Sequence, residues 1–105
     1  MDQNKIQELQ MMEQNLQNML MQKQAFEMEL SETKAALKEI ENSGDEVFKI
    51  IGQLMIKTDK SKMKEELSNK EKMLSLRTKT IEKQENSMTE QLDQLRKEFM
   101  KEVKK

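Results

Sequence analysis

The 105-residue sequence contains no cysteine, histidine, proline, tryptophan or tyrosine, and only two glycines. Without cysteine and histidine it has no disulfide framework, no zinc site of the usual ligand types and no cysteine or histidine catalysis. Gly44 and Gly52 stand too far apart to form a glycine-rich phosphate-binding loop. We therefore expect neither an enzyme nor a protein that binds a metal or a cofactor.

Long apolar runs are also missing. No stretch approaches the roughly 18 apolar residues of a membrane span, and residues 1–5 lack the apolar character of a signal peptide. The net charge of −1 gives the chain no overall attraction to nucleic acid. These features predict a cytoplasmic protein with neither a membrane nor a nucleic acid as partner.

The residues that are present favour extended helices. Charged residues make up 37% of the chain and hydrophobic residues 34%, less than the roughly 45–50% apolar content of a typical globule. About half of the residues are Ala, Glu, Lys, Leu or Arg, a composition typical of coiled coils. A coiled coil needs only a narrow apolar seam, so this composition suits it.

Residues 1–42 carry two rows of mostly apolar residues, offset by alternating steps of three and four. The rows are Leu9, Leu16, Lys23, Leu30, Leu37 and Met12, Met19, Phe26, Thr33, Ile40. This is the a/d pattern of a coiled coil, held over about five heptads. It predicts one long helix.

Residues 60–105 repeat the pattern less strictly. One row is apolar throughout, and the partner row that we assign to it is mostly polar. The rows are Leu67, Leu74, Ile81, Met88, Leu95 and Met63, Lys70, Arg77, Gln84, Gln91, Glu98. The segment has 13 basic and 9 acidic residues, a net +4, whereas residues 1–42 have 4 and 8, a net −4. Two helices of opposite charge are predicted to pair with each other.

An antiparallel pairing in which facing residue numbers add up to 107 matches the apolar rows, for example Met12 with Leu95, and a register shifted by one heptad stays open. In the first register, Lys23 with Gln84 is predicted to be the single layer without an apolar residue, and such a layer can fix register. We also expect Gly44 to end the first helix in a left-handed conformation. Asp59 or Ser61 is expected to cap the start of the second helix.

The central segment, residues 43–59, has a different character, since it holds half of the Val and Ile of the chain. Two short apolar runs around Gly52 and Gln53 predict a β-hairpin. An isolated hairpin is marginally stable in water, so its apolar residues are predicted to bind other chains. These assembly residues are Val47, Phe48, Ile50, Ile51, Leu54, Met55 and Ile56.

Both chain ends meet in this antiparallel register, and there the apolar residues exceed what one seam requires. We predict a binding site at this end, called the end surface, formed by Ile6, Leu9, Met11, Met12, Leu95, Phe99, Met100 and Val103. Excess apolar surface marks interaction sites, and flexible Met side chains adapt to many partners. The alternative is that these residues merely widen the seam near frayed ends.

Two stretches resemble the β-type subunits of the prefoldin family, in their archaeal form. Residues 46–57, EVFKIIGQLMIK, are similar to the family's hairpin motif, although Phe48 stands where tyrosine is usual. Residues 76–85, LRTKTIEKQE, are similar to its second-helix signature. The length and the helix–hairpin–helix order also agree, so the resemblance extends over nearly the whole chain.

The resemblance implies a mainly α fold in which two long helices form an antiparallel coiled coil, joined by a hairpin that assembles into a β-barrel. It implies a heterohexamer of two α-type and four β-type subunits, with no cofactor. It also implies an ATP-independent chaperone that captures unfolded polypeptides at its coiled-coil tips and delivers them to a group II chaperonin. The whole chain, 1–105, would be one prefoldin-like unit.

The residues alone leave another function open. A homo-oligomeric coiled-coil scaffold without client binding would show the same heptads and the same hairpin. An enzyme is disfavoured, because the carboxylates lie on charged helical surfaces among lysines with nothing to form a cleft. Suppression of the aggregation of a denatured protein would distinguish the chaperone from the scaffold.

Overall fold

The computed structural model describes residues 3–103. Its elements, in chain order, are helix α1 (Gln3–Glu41), strand β1 (Glu46–Ile51), strand β2 (Leu54–Asp59) and helix α2 (Lys60–Val103). The predicted mainly helical fold with a central hairpin is therefore confirmed. The outermost residues of the predicted helical segments 1–42 and 60–105 lie outside the described residues.

The chain divides into two compact units. The hairpin unit, Phe26–Arg77, contains the last part of α1, both strands and the first part of α2. The end unit contains the described parts of Met1–Ala25 and Thr78–Lys105, which supply the remaining portions of the two helices. Within residues 3–103, neither helix has an apolar stretch long enough to cross a membrane.

The strands form an antiparallel pair with Ile51 opposite Leu54 at the turn and Glu46 opposite Asp59 at the open end. Only two residues, Gly52 and Gln53, connect them, as predicted. Gly52 has φ of 58°, and Gln53 does not share a positive φ. That combination matches a type II′ turn, in which glycine takes the first central position because other residues are strained there.

The C-terminus of α1 is closed without a left-handed glycine, so the prediction for Gly44 is wrong: its φ is not positive. The last carbonyls instead accept hydrogen bonds from nearby groups. The Ser43 hydroxyl donates to Ile40 O at 2.7 Å, and the Lys60 ammonium donates to Glu41 O at 3.2 Å and to Ser43 O at 3.1 Å. A cation at this helix end also complements the helix dipole. Asp59 directly precedes α2, in the N-cap position predicted for it.

The core of the hairpin unit lies between the two helix segments. Ile40 and Leu74 are buried there together with Thr33, whose hydroxyl donates to Glu29 O at 2.8 Å and so remains hydrogen-bonded. The Arg77 guanidinium carbon lies 5.9 Å from the centre of the Phe26 ring, within the range of a cation–π contact.

In the end unit, the α1 rows face inward as predicted. Leu9, Met12, Leu16 and Met19 are half-buried, whereas the residues between them are exposed. Met12 lines a shallow groove with Leu95, the pairing that the predicted register requires. The α2 row that begins at Leu67 is also covered, since Ile81 is buried and Met88 and Leu95 are half-buried.

The partner row assigned to α2 is wrong. Gln84, Gln91 and Glu98 are exposed. The row that faces inward lies one residue further along the chain and consists of Glu71, Thr78, Glu85, Leu92 and Phe99. This choice covers Leu92 and Phe99, and burying one such side chain contributes about 1.5–3 kcal/mol. The alternative row offers no large apolar residue after Met63.

Candidate functional site

The hairpin presents an uncovered set of large apolar side chains. Its exposed members form the hairpin surface: Phe48, Ile50, Ile51, Leu54, Met55 and Ile56. Ile50 is 70% exposed, the highest value among them. Val47, the seventh predicted assembly residue, is half-buried. Apolar residues at such exposure, crowded into one hairpin, are the pattern of an interaction site.

The hairpin surface has two sides, because successive residues of a strand point to opposite faces. The strand register places Phe48 and Ile50 with Met55 on one face. Ile51 and Leu54 share the other face with Ile56. Both faces are therefore apolar, and a partner that covered only one of them would leave the other in water.

Ion pairs frame this surface without covering it. On β1, Glu46 pairs with Lys57 of β2 at 2.7 Å, and Lys49 pairs with Glu66 of α2 at 2.8 Å. Lys49 is half-buried, as are Val47 and Thr58 on the same face. The polar residues thus hold the base of the hairpin to itself and to α2, while the residues near the turn stay exposed.

The structure separates the predicted end surface into two groups. Met11, Met100 and Val103 are more than half exposed. The other five are half-buried along the seam: Ile6, Leu9, Met12, Leu95 and Phe99. Part of the predicted site therefore also serves the seam, and the exposed remainder is small and rich in Met.

Charged residues lie beside Met100, one member of the exposed group. Met100 lines a shallow depression with Arg96, Lys97 and Lys101. Arg96 pairs with Glu13 of α1 at 2.8 Å, and Lys5 pairs with Glu102. Met100 thus lies among basic side chains, and two ion pairs join α1 to α2 in the same unit.

Several apolar residues were placed wrongly or passed over from sequence. Leu92, which belongs to neither of the rows first assigned to residues 60–105, is only 2% exposed. Among residues 3–103, five exposed large apolar residues lie outside both surfaces: Leu20, Met21, Met28, Met73 and Leu76. The sequence did carry a signal for these six residues, because each is a large apolar residue outside the heptad rows as first assigned. Such a residue indicates either that the row assignment is wrong or that the residue contacts another partner.

Within the described residues, no group of three or more acidic side chains is arranged to hold a metal ion. The notable features are instead apolar surfaces on a helix–hairpin–helix frame. The geometry therefore defines the class: a helical protein with interaction surfaces.

Comparisons with known proteins agree with this class. A family model described as prefoldin subunit matches residues 3–105. The prefoldin subunit beta of Thermococcus onnurineus is 42% identical over 85 residues, which cover 79% of this chain and 73% of that protein. The prefoldin subunit beta of Methanosarcina acetivorans is 37% identical over 99 residues, covering 92% and 85%.

A solved structure matches as well. The crystal structure of the prefoldin beta subunit from Thermococcus strain KS-1 superposes with a TM-score of 0.85 at 35% identity, covering 98% of this chain and 92% of that one. The chain belongs to the prefoldin family. It is a chaperone subunit of that family and not an enzyme, and the resemblance noted in residues 46–57 and 76–85 is confirmed.

Proposed function

We propose that this chain is the β-type subunit of a cytoplasmic, ATP-independent chaperone with the composition α2β4. The assembly captures unfolded polypeptides at the end surfaces of its subunits and delivers them to a group II chaperonin. Each subunit contributes one hairpin to the assembly and one pair of helix ends to the capture of clients.

The observation that carries the proposal is the hairpin surface, which is apolar on both faces and which residues 3–103 leave 44–70% exposed. Full burial of a fully exposed side chain of this kind is favourable by roughly 1.5–3 kcal/mol, and each of these six, 44–70% exposed, would gain part of that free energy. A β-barrel formed with the hairpins of other subunits, both further copies of this chain and α-type chains, would cover them.

Co-expression with an α-type prefoldin subunit, followed by native mass spectrometry, tests the assembly. We expect one dominant mass that corresponds to two α-type chains and four copies of this chain. A monomer, or an oligomer of this chain alone in the presence of the α-type subunit, would contradict the proposal.

The capture of clients is supported by the end surface. Met11, Met100 and Val103 expose apolar surface that their own seam leaves uncovered. The Met side chains suit clients of many shapes. One such site binds weakly, but several sites on one assembly raise the effective affinity for a long client.

Substitution of the exposed group tests capture without removing seam residues. In the variant Met11→Ser/Met100→Ser/Val103→Thr we expect an intact hexamer that no longer suppresses the aggregation of a denatured protein. The matched control is Met21→Ser/Met28→Ser/Met73→Ser, which removes exposed apolar side chains elsewhere and is expected to keep full suppression. Equal loss in both variants would indicate general stickiness instead of a site at the helix ends.

The same assay addresses the homo-oligomeric scaffold. A scaffold would show no suppression by the wild-type chain, with or without an α-type subunit. Delivery is tested separately, by following a fluorescently labelled client from the purified hexamer to a group II chaperonin. Failure of transfer with intact capture would reject delivery alone.

A further inference from the structure

A charged layer formed by Lys23 and Glu85 lies within the apolar seam of the end unit. Lys23 occupies the a/d row of α1, and Glu85 occupies the inward row of α2. The Lys23 Nζ atom lies 3.4 Å from Glu85 Oε2 and 4.0 Å from Glu82 Oε1. The predicted partner, Gln84, is exposed, so the polar layer exists but with a different and oppositely charged residue.

The surroundings of this pair are apolar. Met19 of α1 and Ile81 and Met88 of α2 lie next to it along the rows and are half-buried or buried. The side chains of Lys23 and Glu85 are each only 23% exposed. Glu85 Oε2 is buried, and among the described residues it has no hydrogen-bond partner, since Lys23 approaches as an ion without hydrogen-bond geometry.

Such a pair is a poor source of stability. The free energy needed to remove two charges from water offsets much of the stabilisation from their attraction. Apolar replacements of similar volume are therefore often neutral or stabilising. The best-attested use of a charged or polar layer in a coiled-coil seam is to select register and partner, at a cost in stability.

The identities on either side make the selection specific. A shift of one heptad in one direction brings Lys23 opposite Leu92, and a shift in the other direction brings it opposite Thr78. In both cases Lys23 and Glu85 no longer face each other, although both charged side chains remain in the seam. Parallel pairing of α1 with a second α1 would bring Lys23 against Lys23, and pairing of α2 with a second α2 would bring Glu85 against Glu85.

We propose that Lys23 and Glu85 are the residues that determine register and partner choice in the end unit. They make α1 pair with α2 of opposite charge and hold one alignment among those that the apolar rows tolerate. A shift of one heptad would keep the same rows facing inward but would leave one helix end about 10 Å beyond the other, so that half-buried seam residues there, such as Phe99, would lose their cover. The pair therefore sets which apolar side chains the helix ends display.

Disulfide trapping tests the proposal in the full-length chain, which has no native cysteine. Met12→Cys/Leu95→Cys reports the observed register, and Met12→Cys/Met88→Cys reports a shift of one heptad. Each pair is introduced into the wild-type background and into Lys23→Leu/Glu85→Leu. Equilibration in a glutathione buffer and non-reducing gels then separate intramolecular crosslinks from dimers.

In the wild-type background we expect the Met12/Leu95 crosslink to dominate and the shifted crosslink to be rare. In Lys23→Leu/Glu85→Leu we expect the shifted crosslink and crosslinked dimers to rise on the order of tenfold, a change equivalent to about 1.4 kcal/mol. The urea midpoint of the double variant should be unchanged or higher. Loss of register with retained stability is a result that a merely stabilising ion pair cannot produce.

Charge variants complete the test. Lys23→Glu places a carboxylate against Glu82 and Glu85 and should increase the shifted crosslink, whereas Lys23→Glu/Glu85→Lys should return most of the population to the observed register. If the shifted crosslink stays as rare in Lys23→Leu/Glu85→Leu as in wild type, the apolar rows and the hairpin connection fix the register and the proposal is wrong. A lower urea midpoint with an unchanged register would reject it equally.

Discussion

The helix seam and the hairpin use the same kinds of side chain and treat them in opposite ways. Leu74 and Leu92 in the seam are 1% and 2% exposed, whereas Leu54 and Ile50 in the hairpin are 67% and 70% exposed. The seam hides its apolar residues within one chain. The hairpin displays them, so it is built for contacts that a single chain does not supply.

The difference has a geometric cause. A helix with an a/d stripe has one narrow face to cover, and a second helix of the same chain is sufficient for that. A two-stranded sheet has two faces and two open edges, and its residues alternate between the faces. Here α2 reaches the sheet through the ion pair of Glu66 with Lys49, and the apolar residues near the turn stay beyond such contacts.

The largest effect is expected from a substitution in the exposed hairpin surface. Ile50→Asp puts a charge among the apolar residues of the hairpin surface, and burial of an unpaired carboxylate in an assembly is strongly unfavourable. We expect the hexamer of two α-type and four β-type subunits to disappear while the helical content of the chain is retained. Native mass spectrometry and circular dichroism measure the two quantities.

The control for this variant is Gln53→Asp, which adds the same charge at the turn, outside the hairpin surface. It should assemble like wild type. Normal assembly of Ile50→Asp would mean that the hairpin surface is not the assembly interface.

The next largest effect is a loss of stability caused by a substitution in the buried core between the helices. Leu74→Ala leaves a cavity in the core of the hairpin unit, and such a change typically costs about 2–5 kcal/mol. Leu76→Ala removes the same atoms from the same helix at a position 67% exposed, where a substitution usually stays within about 0.5 kcal/mol. Urea denaturation followed by circular dichroism compares them. Similar midpoints for the two variants would show that the seam does not carry the stability assigned to it.

A smaller effect is expected at the turn of the hairpin. Gly52→Ala forces a side chain into a left-handed conformation, which costs roughly 1–2 kcal/mol. The added Cβ meets nothing within 4 Å, so the cost comes from the backbone alone. Gly44→Ala is the matched control, because its surroundings are equally open but its φ is not positive.

Gly44→Ala is expected to be neutral or slightly stabilising, because it restricts the unfolded chain. The same urea denaturation measures both glycine variants. Equal midpoints would argue against a strained turn at Gly52.

The smallest expected effect lies at the junction of α1 and the hairpin. The hydrogen bond and charge of Lys64, whose Nζ atom is 3.0 Å from Glu41 Oε1, lower the pKa of the Glu41 carboxyl below its ordinary value. The charged form is therefore favoured in the folded chain. Its contribution to stability is complete above the ordinary pKa and is lost as the pH falls through the lowered one.

Lys64→Gln should raise the pKa of Glu41 toward its ordinary value, as followed by NMR titration of that side chain. The exposed pair contributes little to overall stability. Lys62→Gln, which removes an exposed lysine two residues before Lys64 on the same helix, is the control and should leave the titration unchanged. An unmoved pKa in Lys64→Gln would contradict the assigned cause.

Much of the fold followed from local patterns. The α1 heptad rows, the hairpin turn at Gly52 and Gln53 and the exposed character of the hairpin residues were predicted from spacing and composition. The assignment failed where two rows were both compatible with a period of seven. The row of Gln84 and the row of Glu85 flank the same apolar row, one three residues away and the other four.

The end of α1 shows a second limit of local patterns. Gly44 in the segment Asn42–Asp45 suggested a left-handed cap, but Lys60, sixteen residues further along, donates to the carbonyls there. A helix end accepts whichever donor the fold brings near, and a residue distant in sequence gives no local signal. The division of the end surface into half-buried and exposed residues likewise depends on contacts with the other helix, which is distant in sequence.

The architecture follows from the sequence: two helices with heptad rows, a hairpin rich in β-branched residues and a surplus of apolar residues that needs partners. Periodicity carries this information because each element buries the residues that share one of its faces. Three details depend on how the elements pack: Leu92 and Phe99 enter the seam, Lys23 pairs with Glu85, and Lys60 donates hydrogen bonds at the end of α1. Each detail depends on which residue a side chain contacts on another element. Burial and charge pairing select that contact only when the elements pack together, so the local sequence does not reveal it.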